Sequence, residues 1–447
     1  MAPPDLSDPD LPRLARKLGL PVMAGLSLNA LHQVVDAGFV ARLGTEPLAV
    51  LSLMAPLAGL VAALGIGIGI GAASLTARAL GAADTQMARA VAGLALVTAL
   101  GLAAGLCSAL WLAQAPVLGL LGLEQTDPLA GLARGYFPFL ILTMAGSLMQ
   151  IQCDFLAIGR GASATSLKLL ALCFGLNIAL DPLFIFGLGY GLEGAAIATL
   201  CAQSVTLGAW ALWFAPLSRR PCLDRIAPLA DMARIGLPEA GSVLLTTLSM
   251  MAVLHLALVL GDTATLAALG LALRLLLIVQ LPMEGFALGL QPLLAHAIGA
   301  RDPARLRAVF RYGLRALIGA GAGTCVAILL LAPLLAALLA PGPDLAGQTV
   351  PLLRWLALGL PALALRLQVQ ILLQSRIDPL RASCLGLAPA GWLLWPLLAL
   401  MLPLLGVAGL APALTLATLL GGALALWMMR SAPTPFQPRE MSHDPQS

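Results

Sequence analysis

Ala77-Arg78-Ala79-Leu80-Gly81-Ala82-Ala83-Asp84 recurs as Ala295-His296-Ala297-Ile298-Gly299-Ala300-Arg301-Asp302, and this pair of octapeptides decides how the chain is read. Outward from it, at an offset of 217 to 218 residues, Leu20-Pro21 returns as Leu237-Pro238 and Leu43-Gly44 as Leu260-Gly261. Near the end, Gly191-Leu192-Glu193-Gly194 has its counterpart in Gly406-Val407-Ala408-Gly409. A repeat sustained over so much of the chain makes it a duplication of one unit.

The solvent of that unit follows from composition. The 447 residues are 60% hydrophobic and only 10% charged, with a mean hydropathy of +0.95, whereas water-soluble domains carry about 25% charged residues. The chain is therefore read as an all-α integral membrane protein. About 20 apolar residues span the hydrocarbon as a helix, and twelve such stretches are present: 18–40, 47–75, 90–121, 129–156, 164–187, 192–215, 235–260, 264–296, 310–340, 349–374, 382–403 and 406–429. They are apolar all round and lack the alternation of barrel strands. The expected organisation is twelve transmembrane helices in two pseudo-symmetric six-helix lobes. It comprises an N-terminal tail (1–17), a first lobe (18–215), a linker (216–234), a second lobe (235–430) and a C-terminal tail (431–447).

Basic residues concentrate in alternate connections, which sets orientation. Arg13, Arg16 and Lys17 precede the first span, Arg78 and Arg89 follow the second, and Arg160 and Lys168 follow the fourth. Arg219, Arg220, Arg225 and Arg234 lie in the linker, Arg301, Arg305 and Arg307 after the eighth span, Arg376 and Arg381 after the tenth, and Arg430 at the end. Both termini are expected in the cytoplasm, with a bacterial inner membrane as the location and Arg42 as the one exception to the bias. Six spans per copy is an even number, so the repeat is parallel, with its axis along the membrane normal. The net charge of +4 is accounted for by these loops and does not call for nucleic acid. Seven cysteines without C-x-x-C spacing read as small buried residues.

A charge inside a span costs roughly 3 kcal/mol or more and is a functional candidate by default. In span one Asn29, His32, Gln33 and Asp36 share a helical face. Span five carries Asn177 and Asp181 one turn apart, followed by Pro182, and span six Thr199 and Gln203. Counted from the outer ends at about 1.5 Å per residue, Asp36, Asp181 and Thr199 stand at similar depth. Two carboxylates close together in a low-dielectric site must take up a proton or share a cation; equally, the oxygens of Asp36, Asn177, Asp181 and Thr199 form a hard-ligand set suited to Na⁺. In the second lobe Glu284 and Arg366 lie deep in their spans and are placed to pair, with Glu284 alternatively meeting a substrate, while Glu239 reads as interfacial. The Gly65-to-Gly71 run lacks the Lys-Ser/Thr of a phosphate loop and reads as close helix packing.

Pro21 to Gly44, ending in Asp36-Ala37-Gly38-Phe39-Val40-Ala41-Arg42-Leu43-Gly44, resembles the multidrug and toxic compound extrusion (MATE) transporters. So do Asn177-Ile178-Ala179-Leu180-Asp181-Pro182 and Gly194-Ala195-Ala196-Ile197-Ala198-Thr199. The likeness covers nearly the whole chain, and the span-five motif with an aspartate in span one is similar to the DinF-like branch. It implies cation coupling at Asp36, Asn177, Asp181 and Thr199 and helix bending at Pro21. Asn29, His32, Gln33, Gln203 and Glu284 remain relay or substrate contacts. NorM-like relatives carry a glutamate midway along span seven, where this chain has Thr246 and Thr247. The turn Gln374-Ser375-Arg376-Ile377-Asp378-Pro379 departs from the family's Gly-Asp form.

The implied function is a secondary active antiporter exporting amphiphilic organic cations in exchange for H⁺ or Na⁺, working as a monomer among membrane lipids, with no cofactor and no structural metal. A lipid or lipid-linked oligosaccharide flippase is the alternative, and it predicts a strongly cationic cavity. An intramembrane enzyme is disfavoured because the spans hold no H-E-x-x-H, paired Mg²⁺-type aspartates or Ser-His arrangement at matched depth.

Overall fold

The computed structural model describes residues 6–121, 129–218, 228–339 and 342–431. Residues 122–128 and 219–227, the latter carrying Arg219, Arg220, Cys222 and Arg225 of the expected linker, lie outside that set, as does the tail from 432 onward. Among the described residues there are helices and turns and no β-strand. The first half comprises α1 (Leu11–Ala41), α2 (Thr45–Gly81), α3 (Thr85–Leu112), α4 (Gln114–Leu120), α5 (Ala130–Gly159), α6 (Ser163–Pro182) and α7 (Gly191–Ser218). The second comprises α8 (Pro228–Leu260), α9 (Thr263–Gly299), α10 (Pro303–Leu339), α11 (Pro343–Ala357), α12 (Leu360–Ser375), α13 (Pro379–Leu387), α14 (Leu394–Leu405) and α15 (Leu410–Ser431).

Among the described residues ten helical stretches are long and apolar enough to cross a membrane, and α11 with α12, bent by 43° to each other, makes an eleventh. One of the ten, 394–431, reverses at Gly406 (φ 58°). There Gly409 meets the Met401 carbonyl, so α14 and α15 are separate, adjacent helices. Turns at 388–393 split the eleventh expected span into α13 and α14. α1 begins at Leu11, ahead of the expected start at 18, because Asp10 caps it by accepting from the Arg13 amide at 3.1 Å.

Four helix ends share one turn. The amides of Asp84, Ala162, Asp302 and Asp378 return to the carbonyls of Ala79, Ala157, Ala297 and Leu373, the six-to-one bond of a Schellman motif. Its left-handed residue is Gly161 (φ 77°) in one case but Ala83 (φ 57°), Arg301 (φ 54°) and Ile377 (φ 57°) in the others. Asp84, Asp302 and Asp378 each then cap the next helix. The 374–379 connection, irregular in sequence, thus adopts the same geometry as the octapeptide turns.

Among the described residues the close contacts between the two halves gather at one end. Gly81 abuts the His296 carbonyl and Gly299 the Arg78 carbonyl, a reciprocal contact between equivalent positions of the repeat. Gly67 against Ala240 is likewise the counterpart of Gly285 against Met23. At this end, which carries the N-terminus, the cores cross between halves: Leu14 and Leu18 pack with residues 283–298, and Ile70 and Leu75 with Met232 and Ile235. Leu6 joins that core, held by Arg305, which donates to the carbonyls of Leu6 and Asp8. Away from it, the cores stay within one half each. Among the described residues the halves are packed together, and so sealed, at the N-terminal end, while no core cluster joins them at the other. In the glycine run, Gly67 and Gly71 face α8 while Gly65 and Gly69 face Ile151 and Phe155 of α5, so α2 is clasped from two sides.

Candidate functional site

α1, α6 and α7 bring four of the expected residues together. Asn177 and Asp181 lie one turn apart on α6, 1% and 0% exposed, and Asn177 Nδ2 donates to Asp181 Oδ1 at 3.1 Å. The same nitrogen donates to Thr199 Oγ1 at 3.1 Å, while Thr199 gives its own hydrogen to the Ala195 carbonyl at 2.9 Å. On its other side Asn177 Oδ1 accepts from His32 Nε2 at 2.6 Å. An amide oxygen only accepts, so Nε2 is the protonated ring nitrogen. The imidazole is stacked on Phe174, centroids 4.2 Å apart and planes 12° from parallel, which fixes its direction.

Local sequence explains the placement. Pro182 has no N–H, so regular α6 ends there and the chain continues as one π-helical turn, Leu183–Gly187. Gly194 lets α7 approach the backbone of Phe184 and Ile185, bringing Thr199 over Asn177. Asp36, on α1, lies within electrostatic reach of both Asp181 and His32. Asp36 Oδ1 and Asp181 Oδ2 are buried with no hydrogen-bond partner, and the ion pairs found among the described residues, Arg234–Asp231 and Arg381–Asp378, are elsewhere. Two carboxyl groups therefore lie within reach of each other, with His32 beside Asp36 and, among the described residues, no Lys or Arg ion pair to either.

The remaining expected residues fall outside this network. Asn29 and Gln33 are on α1 but hydrogen-bond none of the described residues, and Gln33 is exposed. Gln203 is buried and ties α7 to α5, donating to Ser147 Oγ at 2.9 Å and the Thr143 carbonyl at 3.2 Å. α1 runs unbroken through Pro21.

In the second half, Glu239, near the start of span seven, is turned onto α12. Its Oε2 accepts from Gln370 Nε2 at 2.6 Å and Gln374 Nε2 at 2.7 Å, and Arg366 donates to Gln370 Oε1 at 2.6 Å. Glu284 is within electrostatic reach of Glu239 and Arg366 but forms no ion pair with Arg366. Sequence reading missed Gln370 and Gln374, although Arg366, Gln370 and Gln374 recur every fourth residue and so mark one polar face of α12. Asp154 was missed in the same way; on α5, it accepts from Ser166 Oγ at 2.7 Å. Among the described residues no group of three or more His, Cys, Asp or Glu side chains is arranged to hold a metal ion.

The fold has relatives of known sequence and structure. The MatE family pattern matches residues 21–183 and again 238–384, starting at Pro21 and at its repeat counterpart Pro238. A FAD transporter of Shewanella oneidensis is 26% identical over 437 residues, 93% of this chain and 94% of that protein. The multidrug export protein MepA of Staphylococcus aureus is 26% identical over 287 residues, 62% of each chain. A solved outward-facing multidrug resistance MATE family transporter of the MOP superfamily superposes with a TM-score of 0.88 at 25% identity, covering 95% of this chain and 97% of the other. A MATE protein solved in a bent conformation matches at 0.88 and 25%, over 94% and 95%. With one copy of the pattern in each half and the whole fold shared, the chain belongs to the MatE family of multi-pass membrane transporters.

Proposed function

We propose that the chain is a secondary active antiporter that exports amphiphilic organic cations in exchange for protons, with Asp36 and Asp181 taking up the coupling proton. The observation that carries this is the orientation of Asn177. A Na⁺ site would use the oxygens of Asn177 and Thr199 beside the carboxylates. Here the Asn177 oxygen faces His32 and its nitrogen faces Asp181 and Thr199. Among the described residues no Lys or Arg pairs with either carboxyl, and two carboxyls so close share a proton in preference to carrying two charges.

The positive-inside bias of the loops supports a cytoplasmic sealed end; on that reading the described state is outward-open, with both termini on the cytoplasmic side of a bacterial inner membrane. Protonation drives the cycle only through its differential affinity for the outward-open and inward-open states. Efflux of ethidium from proteoliposomes under an imposed pH or Na⁺ gradient tests the proposal. Proton-driven efflux that Asp36→Asn abolishes is expected. Efflux driven by Na⁺ alone would overturn the ion assignment, and none under either gradient would favour the lipid flippase.

A second reading, export of a flavin nucleotide, rests on the near full-length match to the relative named a FAD transporter. Vesicles loaded with FAD in place of ethidium distinguish the two.

A further inference from the structure

We propose that Asp154 is a proton acceptor at the sealed end of a polar stripe inside the first lobe, receiving the proton that leaves Asp36 and Asp181. The proposal rests on the proton-coupled reading above. Along α6, Asp181, Asn177, Cys173 and Ser166 are separated by four, four and seven residues, which keeps them on one helical face over about 22 Å. α5 presents Gln150 and Asp154 to that face, and α7 presents Thr206. Cys173 Sγ lies 3.5 Å from Gln150 Oε1, and Ser166 Oγ lies 2.7 Å from Asp154 Oδ1. Asn177, Asp181, Cys173, Ser166, Gln150 and Thr206 are all buried. The stripe therefore runs through the lobe interior, behind the seal that Gly67, Gly81 and Gly299 make between the halves.

Asp154 is the unexplained member. It lies five residues from the end of α5, and among the described residues it has no ion pair and only Ser166 as a hydrogen-bond donor. A neutral amide oxygen would accept from Ser166 as well as a carboxylate does. At an offset of 216 residues the second half repeats the segment, Gln150 and Gln152 returning as Arg366 and Gln368, and the counterpart of Asp154 is the neutral Gln370. A charge inside a span that its own repeat replaces by an amide marks a function special to the first lobe.

In the proposed step a carboxylic acid at Asp36 or Asp181 gives its proton to water in the stripe. The excess proton passes along water to the Asp154 carboxylate, and the resulting acid releases it to bulk water at the sealed end. Among the described residues the titratable groups within electrostatic reach of Asp154 are Cys153 on its own helix and Cys173 on α6. Arg160, at the end of α5, is turned onto the Phe214 ring, 5.6 Å from its centroid.

The test uses the full chain in proteoliposomes with a trapped pH dye. It follows proton flux and ethidium efflux against pH for wild type, Asp36→Asn, Asp154→Asn, Asp154→Glu and Ser166→Ala. Asp154→Asn is expected to slow proton-driven efflux by at least about tenfold, displace its pH profile and leave ethidium affinity unchanged, with Asp154→Glu restoring the rate. Unchanged rate and pH profile in Asp154→Asn, with Asp36→Asn inactive, would overturn the relay and leave the coupling site standing. An active Asp36→Asn would overturn the coupling reading and the relay with it. If Asp154→Asn does not insert, Ser166→Ala decides: slowed flux supports the relay, and wild-type flux and pH profile overturn it.

Discussion

His32 on α1 donates to Asn177 on α6 at 2.6 Å, and this bond holds the Asn177 oxygen away from Asp181 and Thr199, to which its nitrogen donates. In His32→Leu the side chain still covers Phe174, but Asn177 Oδ1 loses its donor, at a cost of about 1–3 kcal/mol for a buried orphan. The amide is then free to turn its oxygen toward Asp181 and Thr199, completing a hard-ligand set. Wild-type efflux is expected to ignore Na⁺, and His32→Leu to acquire Na⁺ dependence. If both respond to Na⁺ alike, the bond does not govern ion choice.

Glu239 holds two glutamines of α12 with one carboxylate oxygen, and both amides are nearly fully buried, Gln370 at 3% and Gln374 at 1% exposed. Glu239→Ala strands both donors at about 1–3 kcal/mol each; Glu239→Gln keeps an oxygen in place and loses only the charge. The expected order of melting temperature in detergent is wild type, then Glu239→Gln, then Glu239→Ala well below. Equal melting temperatures for Glu239→Ala and wild type would mean that the network does not support the second half.

The duplication, the helical class and the clustering of Asp36, Asn177, Asp181 and Thr199 were legible because they depend on spacing, which sequence states directly. Contacts between halves were not. Gly81 and Gly299 stand out as repeat partners, yet nothing in either octapeptide says that each rests on the other's backbone. The partners of Glu239 were hidden for a related reason: distance from a helix end gives depth, and only packing shows that a side chain at that depth turns to Gln370 and Gln374. Gln203 shares a face with Thr199, but Ser147 on α5 captures it. Leu6 belongs by sequence to a polar tail and by structure to the core, because Arg305 fastens its carbonyl.

Ala83 occupies the left-handed position of its turn with φ 57° and an exposed side chain. That conformation costs an L-residue about 1–2 kcal/mol, against about 0.5–1 kcal/mol for the extra unfolded-state freedom of glycine. Ala83→Gly is therefore expected to raise stability slightly, by up to about 1.5 kcal/mol. Ala82→Gly, one residue earlier at φ −83°, should lower it. Thermal unfolding of the two variants side by side checks the sign, and a destabilised Ala83→Gly would show that the turn is not strained.

Gly81 and Gly299 make one crossing twice over, each leaving no room for a side-chain carbon against the other helix's carbonyl. Valine at either position must push α2 and α9 apart, and overpacking of this kind costs about 1–3 kcal/mol. The cost falls on the sealed state alone, so the population should move away from it by roughly 5- to 150-fold. Pseudo-symmetry requires Gly81→Val and Gly299→Val to act alike. Because the two sites share one crossing, the double variant should fall short of the sum, since helices parted by the first side chain have room for the second. Gly105→Val on α3, where an added carbon meets nothing within 4 Å, is the control and should change nothing. Spin-label distances between α2 and α9 at the sealed end read the shift directly. Unequal effects from the two single variants, or a double variant that is fully additive, would mean that the two contacts are independent and that the seal is not one symmetric joint.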